Sequence, residues 1–306
     1  MPPSRDGVGP SWVALTPGPW PCLLDFLVWR FPAVGAARWA QRMAEGEVLD
    51  GHGRPVTPTQ AYRANGKLSY FRRLPPEPRL ADDETVLFED EWLVVADKPH
   101  FLPVTPGGRY LQETLLVRLR RRLGIDSLAP LHRIDRETAG VVLFAKQPAT
   151  RGPYHALFAQ RQVHKTYQAI ARWQPQLALP LTRSSRLVAG CRFMQMRELG
   201  PEDSAAAHEQ PPNAITTVSC LERQGAWARY RLEPLTGQRH QLRVHMAALG
   251  LPLLGDQMYP VLGPEGADDP ANPLRLLAQA IAFVDPITGQ PRRFESLRRL
   301  DFPLPA

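Results

Sequence analysis

Residues 131–146, LHRIDRETAGVVLFAK, place several charged side chains immediately before a long apolar run. The apolar run, residues 140–145, predicts a strand buried on both faces because it shows no polar alternation. Asp135 lies between Arg133 and Arg136, whose charges favour an ionised carboxylate, available as a nucleophile or an electrostatic stabiliser. The alternative role, an ion pair that anchors a loop, is the more common one for such a pattern.

The composition is that of an ordinary globular protein with a surplus of basic residues. Hydrophobic residues make up 43% and charged residues 22% of the 306, enough for a core in one large and one small domain. The net charge of +7 indicates a polyanionic partner such as RNA. A bias towards arginine without functional meaning is the alternative interpretation.

Cysteine usage and hydropathy indicate the compartment. Three cysteines without a CxxC pair argue against a disulfide framework or a zinc knuckle and favour a reducing environment. No apolar run approaches the roughly 18 residues of a membrane span, and no signal-peptide pattern is found. We therefore expect a soluble cytoplasmic protein with no membrane partner, and a monomer as the default state.

Changes in composition predict the domain organisation. Residues 1–20 are rich in Pro, Gly and Ser and are expected to be flexible. A small basic module at 21–73 and a linker at 74–84 precede a large domain at 85–306. Within the large domain, 196–213 are expected to form an insertion loop. Strands outnumber helices there with little strict alternation, which predicts an α+β fold with a mixed or antiparallel sheet.

A helix predicted to begin near Gly237 carries the second group of charged residues. Arg239 and Arg243 are four residues apart and share a face, with His240 beside the first. Arg243 borders the apolar face of this helix, so a partly buried guanidinium would need a carboxylate partner, for which Asp135 is a candidate. A surface arginine whose stem only covers apolar neighbours is the alternative.

Other residues bear on two further functions, base stacking and metal binding. Tyr167 lies on a predicted strand, where it either stacks on a nucleobase or belongs to the core. His132, His240, His245 and Asp135 are metal-ligand types, but HxH and HExxH spacings are missing, so we predict no metal site. Dinucleotide, P-loop and GxSxG motifs are also missing, so we predict no cofactor.

Four segments in this order resemble the RluA-type pseudouridine synthase family. They cover most of 84–306 and are WLVVADKPHFLPVTP (92–106), HRIDRETAGVVLFAK (132–146), KTYQAIA (165–171) and TGQRHQLRVHMAALGLPLLGDQMY (236–259). The resemblance implies a pseudouridine synthase catalytic domain, an isomerase that needs no cofactor or metal. It also implies that RNA, either 23S ribosomal RNA or transfer RNA, is the substrate.

The resemblance also implies roles for individual residues. Asp135 would be the catalytic aspartate and Arg243 its ion-pair partner, while Tyr167 would stack on the target base and is a candidate acceptor for the proton of carbon 5. Arg133 would fill the gap left by the flipped nucleotide. The remaining expected substrate contacts are His132, Arg136, Arg239, His240 and Leu253. Asp135 either attacks the anomeric carbon or takes a proton from the sugar, and the sequence does not choose between these steps.

Residues 23–71 resemble a degenerate alpha-L RNA-binding module, chiefly in RWAQRMAEGEVLDGHGRPVTP (38–58). The large domain departs from the family at two positions: Gln238 replaces the usual arginine after Thr-Gly, and Leu277 replaces a usual histidine. These departures bear on substrate choice. Two other classes remain open, a catalytically silent RNA-binding or chaperone protein and a metal-dependent nuclease or hydrolase. The latter would use His132, Asp135, His240 and His245.

Overall fold

The computed structural model describes residues 6–72, 77–80, 83–190, 192, 194–204, 209–263 and 268–303. An N-terminal unit comprises β1 (Ser11–Ala14), α1 (Leu23–Arg30), α2 (Ala36–Ala44), β2 (Val48–Leu49) and β3 (Lys67–Tyr70). Its three strands form an antiparallel sheet in the order β1-β3-β2, on which the two helices pack.

The large unit contains the remaining twelve strands and three α-helices of the described chain. Its first half comprises β4 (Thr85–Glu89), β5 (Leu93–Lys98), α3 (Leu115–Leu123), β6 (Ala129–Pro130), β7 (Ala139–Ala145), α4 (Arg151–Ala159) and β8 (His164–Arg172). Its second half comprises β9 (Leu181–Ser185), β10 (Leu187–Ala189), β11 (Met196–Glu198), β12 (Ala214–Gln224), β13 (Trp227–Pro234), α5 (Gln241–Ala248), β14 (Leu276–Val284) and β15 (Pro291–Glu295).

A ten-stranded sheet organises the large unit. Eight strands follow the order β4-β5-β7-β14-β8-β13-β12-β9, while β6 pairs with β7 and β15 with β14. All strand pairs are antiparallel except β7 with β14, which are parallel. The predicted α+β class with a mixed sheet is therefore confirmed. Among the described residues, no helix is long and apolar enough to cross a membrane.

Strand β7 is an inner strand of this sheet, between β5 and β14, and each of its residues is buried, as its apolar run predicts. Gly140 has φ 116°, and a Cβ atom there would lie 2.2 Å from the carbonyl oxygen of Ala278 on β14. Only glycine permits this close approach of two backbones. Leu277, at one of the two departures from the family pattern, is fully buried beside Ala139. The side chain at position 277 is thus part of the hydrophobic core.

Helix α5 packs its apolar residues on the face of the sheet formed by β8 and β13. Leu242 and Met246 belong to one core cluster with Ala169, Tyr230 and Leu232. The helix begins at Gln241, four residues later than predicted, with His240 at its N-cap in a left-handed conformation, φ 52°. Histidine is one of the non-glycine residues that adopt this conformation most readily. Its ring consequently points from the start of α5 into the cleft described below.

Two segments expected to lack regular structure are ordered where they are described. Within 1–20, which was expected to be flexible, Ser11–Ala14 forms β1 because Val13 and Leu15 are buried in the core of the small unit. Within 196–213, Met196–Glu198 forms β11, paired with β10, because Met196 packs against α5. Residues 1–5 and 205–208 lie outside the described chain.

The predicted linker, 74–84, is tied to the large unit in the part that is described. Both carboxylate oxygens of Glu77 accept hydrogen bonds from backbone N–H groups of Leu111, Gln112 and Glu113, at 2.8–3.1 Å. Such charge-assisted bonds to backbone N–H groups are stronger than neutral ones. Residues 73–76 and 81–82 lie outside the described residues.

Two buried histidines make the fold sensitive to acid. Burial lowers the pKa of His132 to about 3 and that of His245 to about 4, whereas an exposed histidine in the unfolded chain titrates near 6.5. Between pH 6.5 and 4 the unfolded chain therefore binds more protons, and stability falls as the pH is lowered. We expect a loss on the order of 2 kcal/mol per histidine at pH 5 relative to pH 7, measured by urea unfolding.

Histidine NMR titration provides the direct check on this expectation. The ring resonances of His132 and His245 should remain those of neutral imidazole down to pH 5. His164, which is exposed on β8, serves as the internal comparison in the same spectra. A titration midpoint near 6.5 for either buried ring would contradict the assignment.

Candidate active site

The structure brings Asp135 and Arg243 together at the start of β7. Arg243 Nη1 lies 3.6 Å from Asp135 Oδ2, and the Arg243 side chain is only 2% exposed, whereas Asp135 is 25% exposed. Asp135 belongs to the loop that leads into the buried strand, and Arg243 projects from α5. A solvent-accessible carboxylate thus faces a buried cation across the cleft.

The tightest partner of Arg243 is a residue that sequence reasoning missed, Asp256. Its carboxylate is fully buried and accepts from Arg243 Nε at 2.9 Å and from Nη2 at 2.6 Å. Burial by itself lowers the pKa of Arg243, but the hydrogen bonds and charge of Asp256, with the charges of Asp135 and Glu137, outweigh it and raise that pKa. The guanidinium is therefore a permanent cation held in one orientation.

One nitrogen of the Arg243 guanidinium, Nη1, is not bound by Asp256. Arg243 Nη1 is buried and forms no hydrogen bond within the described parts of the chain. It faces two carboxylates, Asp135 and Glu137, each at 3.6 Å. Burial raises the pKa of Glu137, but the charges of Arg136 and Arg243 dominate and lower it, so this second carboxylate is ionised as well. Asp256 thus anchors the cation, and Nη1 serves the two carboxylates of the loop.

Lys98 is a second residue that the sequence did not single out. Its side chain is fully buried at the end of β5, and Nζ donates to the carbonyl oxygens of Pro99 and Arg136, both at 3.0 Å. Burial lowers its pKa to about 7, opposed by the negative charges of Glu137 and Asp135. Because the Arg136 carbonyl directly follows Asp135, these bonds hold the loop in place.

Tyr167 lies on β8 and packs against the core cluster beneath α5. Burial, followed by the charge of Asp135, raises the pKa of its phenol well above the ordinary value. The phenol is therefore neutral at physiological pH, and a neutral phenol is a weak proton acceptor. This environment favours contact through the ring or donation by the hydroxyl over acceptance of a proton.

Two of the expected substrate contacts are free to meet a ligand. Arg133 and Arg239 are exposed, and neither has an ion-pair or hydrogen-bond partner within the described ranges. Arg133 lies two residues before Asp135, and Arg239 lies one residue before His240. Guanidinium groups in this position suit phosphate oxygens.

Two other expected substrate contacts, His132 and Leu253, have partners within the protein. His132 stacks on Phe158 with ring centroids 5.1 Å apart, and its Nε2 accepts the backbone N–H of Leu143 at 3.1 Å. Leu253 is 5% exposed within the core cluster under α5. Both residues thus contribute to the packing of the fold, and their expected role as substrate contacts stays a prediction. Their apolar neighbours come from distant parts of the chain.

Arg136, another expected substrate contact, has charged partners within the protein. It forms a bidentate ion pair with Asp268 and a hydrogen bond to Glu137, and its guanidinium lies 5.9 Å from the ring centroid of Tyr110. Arg109 binds the same Asp268 at 3.1 Å. Through Arg136, the loop that carries Asp135 is therefore linked to Asp268 and Tyr110.

Residues of the metal-dependent alternative are not arranged as ligands. His245 is fully buried, with Nδ1 2.9 Å from Thr216 Oγ1 and Nε2 3.0 Å from Ser185 Oγ. Both nitrogens of this ring therefore have side-chain partners. Across the part of the chain that is described, no group of three or more His, Cys, Asp and Glu side chains could hold a metal ion. The arrangement supports acid–base or nucleophilic chemistry at Asp135 instead.

Comparison with known proteins matches this geometry to one family. Residues 92–248 match the model of the RNA pseudouridylate synthase family. An uncharacterized RNA pseudouridine synthase of Synechocystis is 30% identical over 244 residues, 80% of either chain. A ribosomal large subunit pseudouridine synthase D of Zymomonas mobilis is 31% identical over 249 residues, 72% of this chain and 73% of that protein.

A solved structure agrees with these matches. Human RNA pseudouridylate synthase domain containing 1 superimposes with a TM-score of 0.58 at 25% identity. The superposition covers 73% of this chain and 86% of the human chain. The region matched by the family model includes the loop of Asp135, strand β8 and the whole of α5.

Removal of the buried counter-charge should destabilise the protein. We expect Asp256→Asn to cost about 3 kcal/mol of unfolding free energy, because it leaves Arg243 buried without its anchoring carboxylate. Urea unfolding followed by circular dichroism measures this loss. The control is Glu295→Gln, which breaks an exposed ion pair with Arg293 and should leave the unfolding midpoint unchanged. Equal midpoints for both variants would contradict the anchoring role.

Proposed function

This chain belongs to the RNA pseudouridylate synthase family, of RluA type, and is an RNA pseudouridine synthase, an isomerase; we propose that Asp135 is its catalytic residue and that it acts on uridine in structured ribosomal or transfer RNA. The observation that carries the proposal is the partly exposed Asp135 carboxylate facing the buried Nη1 of Arg243 at 3.6 Å. The name of the Zymomonas relative, ribosomal large subunit pseudouridine synthase D, supports ribosomal RNA as the first substrate to test.

The proposed reaction is a balanced isomerisation. The bond from uracil N1 to ribose carbon 1′ breaks, the uracil turns within the site, and a new bond joins its carbon 5 to carbon 1′. Carbon 5 loses a proton and N1 gains one, so no electrons, groups or cofactors are exchanged with the surroundings. Asp135 begins the reaction by attack on carbon 1′ or by removal of a sugar proton. Both routes require an ionised carboxylate.

The surroundings of Asp135 suit that requirement. Arg243 supplies a fixed positive charge in a site from which most water is excluded, where electrostatic effects exceed those in bulk water. Lys98 and Glu137 hold the loop on the C-terminal side of Asp135. Arg243 therefore compensates the negative charge of the carboxylate while a nucleotide covers it.

Access to the cleft requires that the target nucleotide leave its stack. Extrusion of a nucleotide costs a few kcal/mol, which aromatic stacking and phosphate contacts must offset. In the proposed complex, Tyr167 stacks on the flipped uracil, while Arg133 and Arg239 meet the backbone or fill the vacated space. Arg133 and Arg239 are exposed and lack protein partners within the described chain, which supports the role proposed for them.

We also propose that the small N-terminal unit contributes RNA affinity. Arg38 and Arg63 are exposed on it, and neither has an ion-pair partner among the described residues. Phosphate contacts of this kind add affinity without base specificity. The unit would thus extend the footprint of the enzyme beyond the target uridine.

Exchange of the proposed catalytic carboxylate provides the main test. Asp135→Asn should abolish pseudouridine formation and leave RNA binding within about twofold, because the amide preserves shape but can neither attack nor accept a proton. Pseudouridines are mapped in total RNA from a strain lacking the protein, after rescue with wild type and with the variant. A site restored only by wild type would identify substrate and activity together.

Other results of the mapping are equally informative. If Asp135→Asn restores the site, the proposed role of this carboxylate is wrong. If the map is the same with and without the protein, while purified protein still binds RNA, a catalytically silent RNA-binding function replaces the proposal for that host.

The salt dependence of RNA affinity tests the role of the small unit. Each lost phosphate contact lowers the slope of log affinity against log salt by about 0.7–0.9. The double variant Arg38→Gln/Arg63→Gln should therefore reduce the slope by about 1.4–1.8 in filter binding or fluorescence anisotropy. The control, Arg231→Gln, alters an exposed arginine on β13 that points away from the face covered by α5. Equal slopes for the double variant and wild type would contradict RNA contact by this unit.

A further inference from the structure

The hydroxyl of Tyr259 lies between the hairpin β10–β11 and His240, the N-cap residue of α5. It is 2.8 Å from the backbone nitrogen of Met196 on β11 and 3.0 Å from Nδ1 of His240. Tyr259 is 7% and His240 9% exposed, so both groups depend on protein partners. The three groups form a chain of hydrogen bonds that ends 3.9 Å from Asp135, at Nε2 of His240.

The direction of this chain follows from the chemistry of its members. A backbone N–H can only donate, so the Tyr259 oxygen accepts from Met196. The hydroxyl has one hydrogen of its own, and His240 Nδ1 is the only acceptor bonded to it within the described residues. His240 Nδ1 is then an unprotonated acceptor. Since burial lowers the pKa of His240 and keeps the ring neutral, the proton of the ring resides on Nε2.

The opposite tautomer would carry two penalties. With the proton on Nδ1, the Tyr259 oxygen would receive two N–H groups, and its own hydrogen would be buried without an acceptor, which is unfavourable. The lone pair of Nε2 would also face the negatively charged Asp135. Both penalties act in the same direction, and about 1.4 kcal/mol already means a tenfold preference.

The two oxygens of Asp135 thus face different donors. Arg243 Nη1 lies 3.6 Å from Oδ2, and His240 Nε2 lies 3.9 Å from Oδ1. Neither distance is a hydrogen bond in the free protein, and such contacts shorten when a substrate is bound. Tyr259 also supports the first donor, because the Arg243 guanidinium lies 5.3 Å from the centroid of its ring.

We propose that Tyr259 is a positioning residue that holds His240 in the Nε2–H form, so that His240 donates to Asp135 in the substrate complex. The backbone N–H of Met196 occupies the Tyr259 oxygen and thereby directs the hydroxyl hydrogen towards His240. The hairpin β10–β11 accordingly sets the protonation pattern of a ring next to the reacting carboxylate. This inference rests on the proposed role of Asp135.

Nitrogen-15 NMR of histidine-labelled protein measures the tautomer directly. The resonance of His240, identified by its loss in His240→Gln, should show a protonated Nε2 and an Nδ1 that accepts a hydrogen bond. Tyr259→Phe keeps the ring and removes the hydroxyl, so the signal should move towards the mixture of tautomers found in a free imidazole. A wild-type ring protonated on Nδ1 would overturn the proposal.

Kinetics provide the second measurement, with uridine-containing target RNA as substrate. Tyr259→Phe should lower kcat about tenfold, the equivalent of 1.4 kcal/mol, and leave KM and RNA affinity within about twofold. The matched control is Tyr230→Phe, which removes another buried hydroxyl, bonded to the Arg172 carbonyl at 3.0 Å in the sheet. The control should lose stability but keep kcat. Equal kcat values for Tyr259→Phe and wild type would also overturn the proposal.

Substitution of His240 itself separates donation from folding. The amide nitrogen of glutamine can occupy the place of Nε2, whereas that of asparagine reaches only as far as Nδ1. His240→Gln should therefore keep about tenfold more activity than His240→Asn, although asparagine suits the left-handed backbone better. The reverse order would contradict donation from Nε2. If Asp135→Asn proves active, the proposed function fails, whereas the NMR result still decides which tautomer Tyr259 selects.

Discussion

The candidate site depends on one buried cation. Arg243 is surrounded by three carboxylates from two separate parts of the chain, Asp256 in bidentate contact and, from the loop before β7, Asp135 and Glu137 at 3.6 Å. An arginine this deeply buried is tolerated only with such compensation, and a carboxylate beside it stays ionised even when water is excluded. Asp256 accepts hydrogen bonds from Nε and Nη2 of the guanidinium, whereas Nη1 faces the two carboxylates of the loop that contains Asp135. A single interaction thereby ties helix α5, the loop before β7 and the loop after α5 to one position.

The sheet provides the rigid frame for this arrangement. Strand β7 is buried throughout and lies between β5 and β14, where Gly140 permits the close approach of the β14 backbone. Lys98 at the end of β5 binds the carbonyl of Arg136, so the strand next to β7 also holds the loop that β7 continues. Placement of a reactive side chain on a loop held at both sides by buried strands is a common way to combine accessibility with precision.

Elements outside the central strands extend the site. The hairpin β10–β11 reaches Tyr259 through Met196, and Tyr259 in turn contacts both His240 and Arg243. At the other end of the molecule, Glu77 binds three successive backbone N–H groups before α3 and ties the chain after the small unit to the large one. In the proposed complex, the hairpin therefore orients the donor next to Asp135, and the small unit increases the affinity for RNA.

The sequence by itself determined the elements and the family. The unbroken apolar run after Asp135 predicted β7, the spacing of Leu242 and Met246 predicted α5, and four quoted segments identified the RNA pseudouridine synthases. Tertiary structure alone decided the partners. Asp256 lies 13 residues beyond Arg243, and Lys98 lies 38 residues before the carbonyl it binds, so neither contact has a local signature. His132 and Leu253 were expected in the cleft but are held by core neighbours, and Ser11–Ala14 is ordered by pairing with β3. Hydrophobic spacing reports which face of an element is buried, whereas the choice of a counter-ion or hydrogen-bond partner depends on how distant elements are packed together.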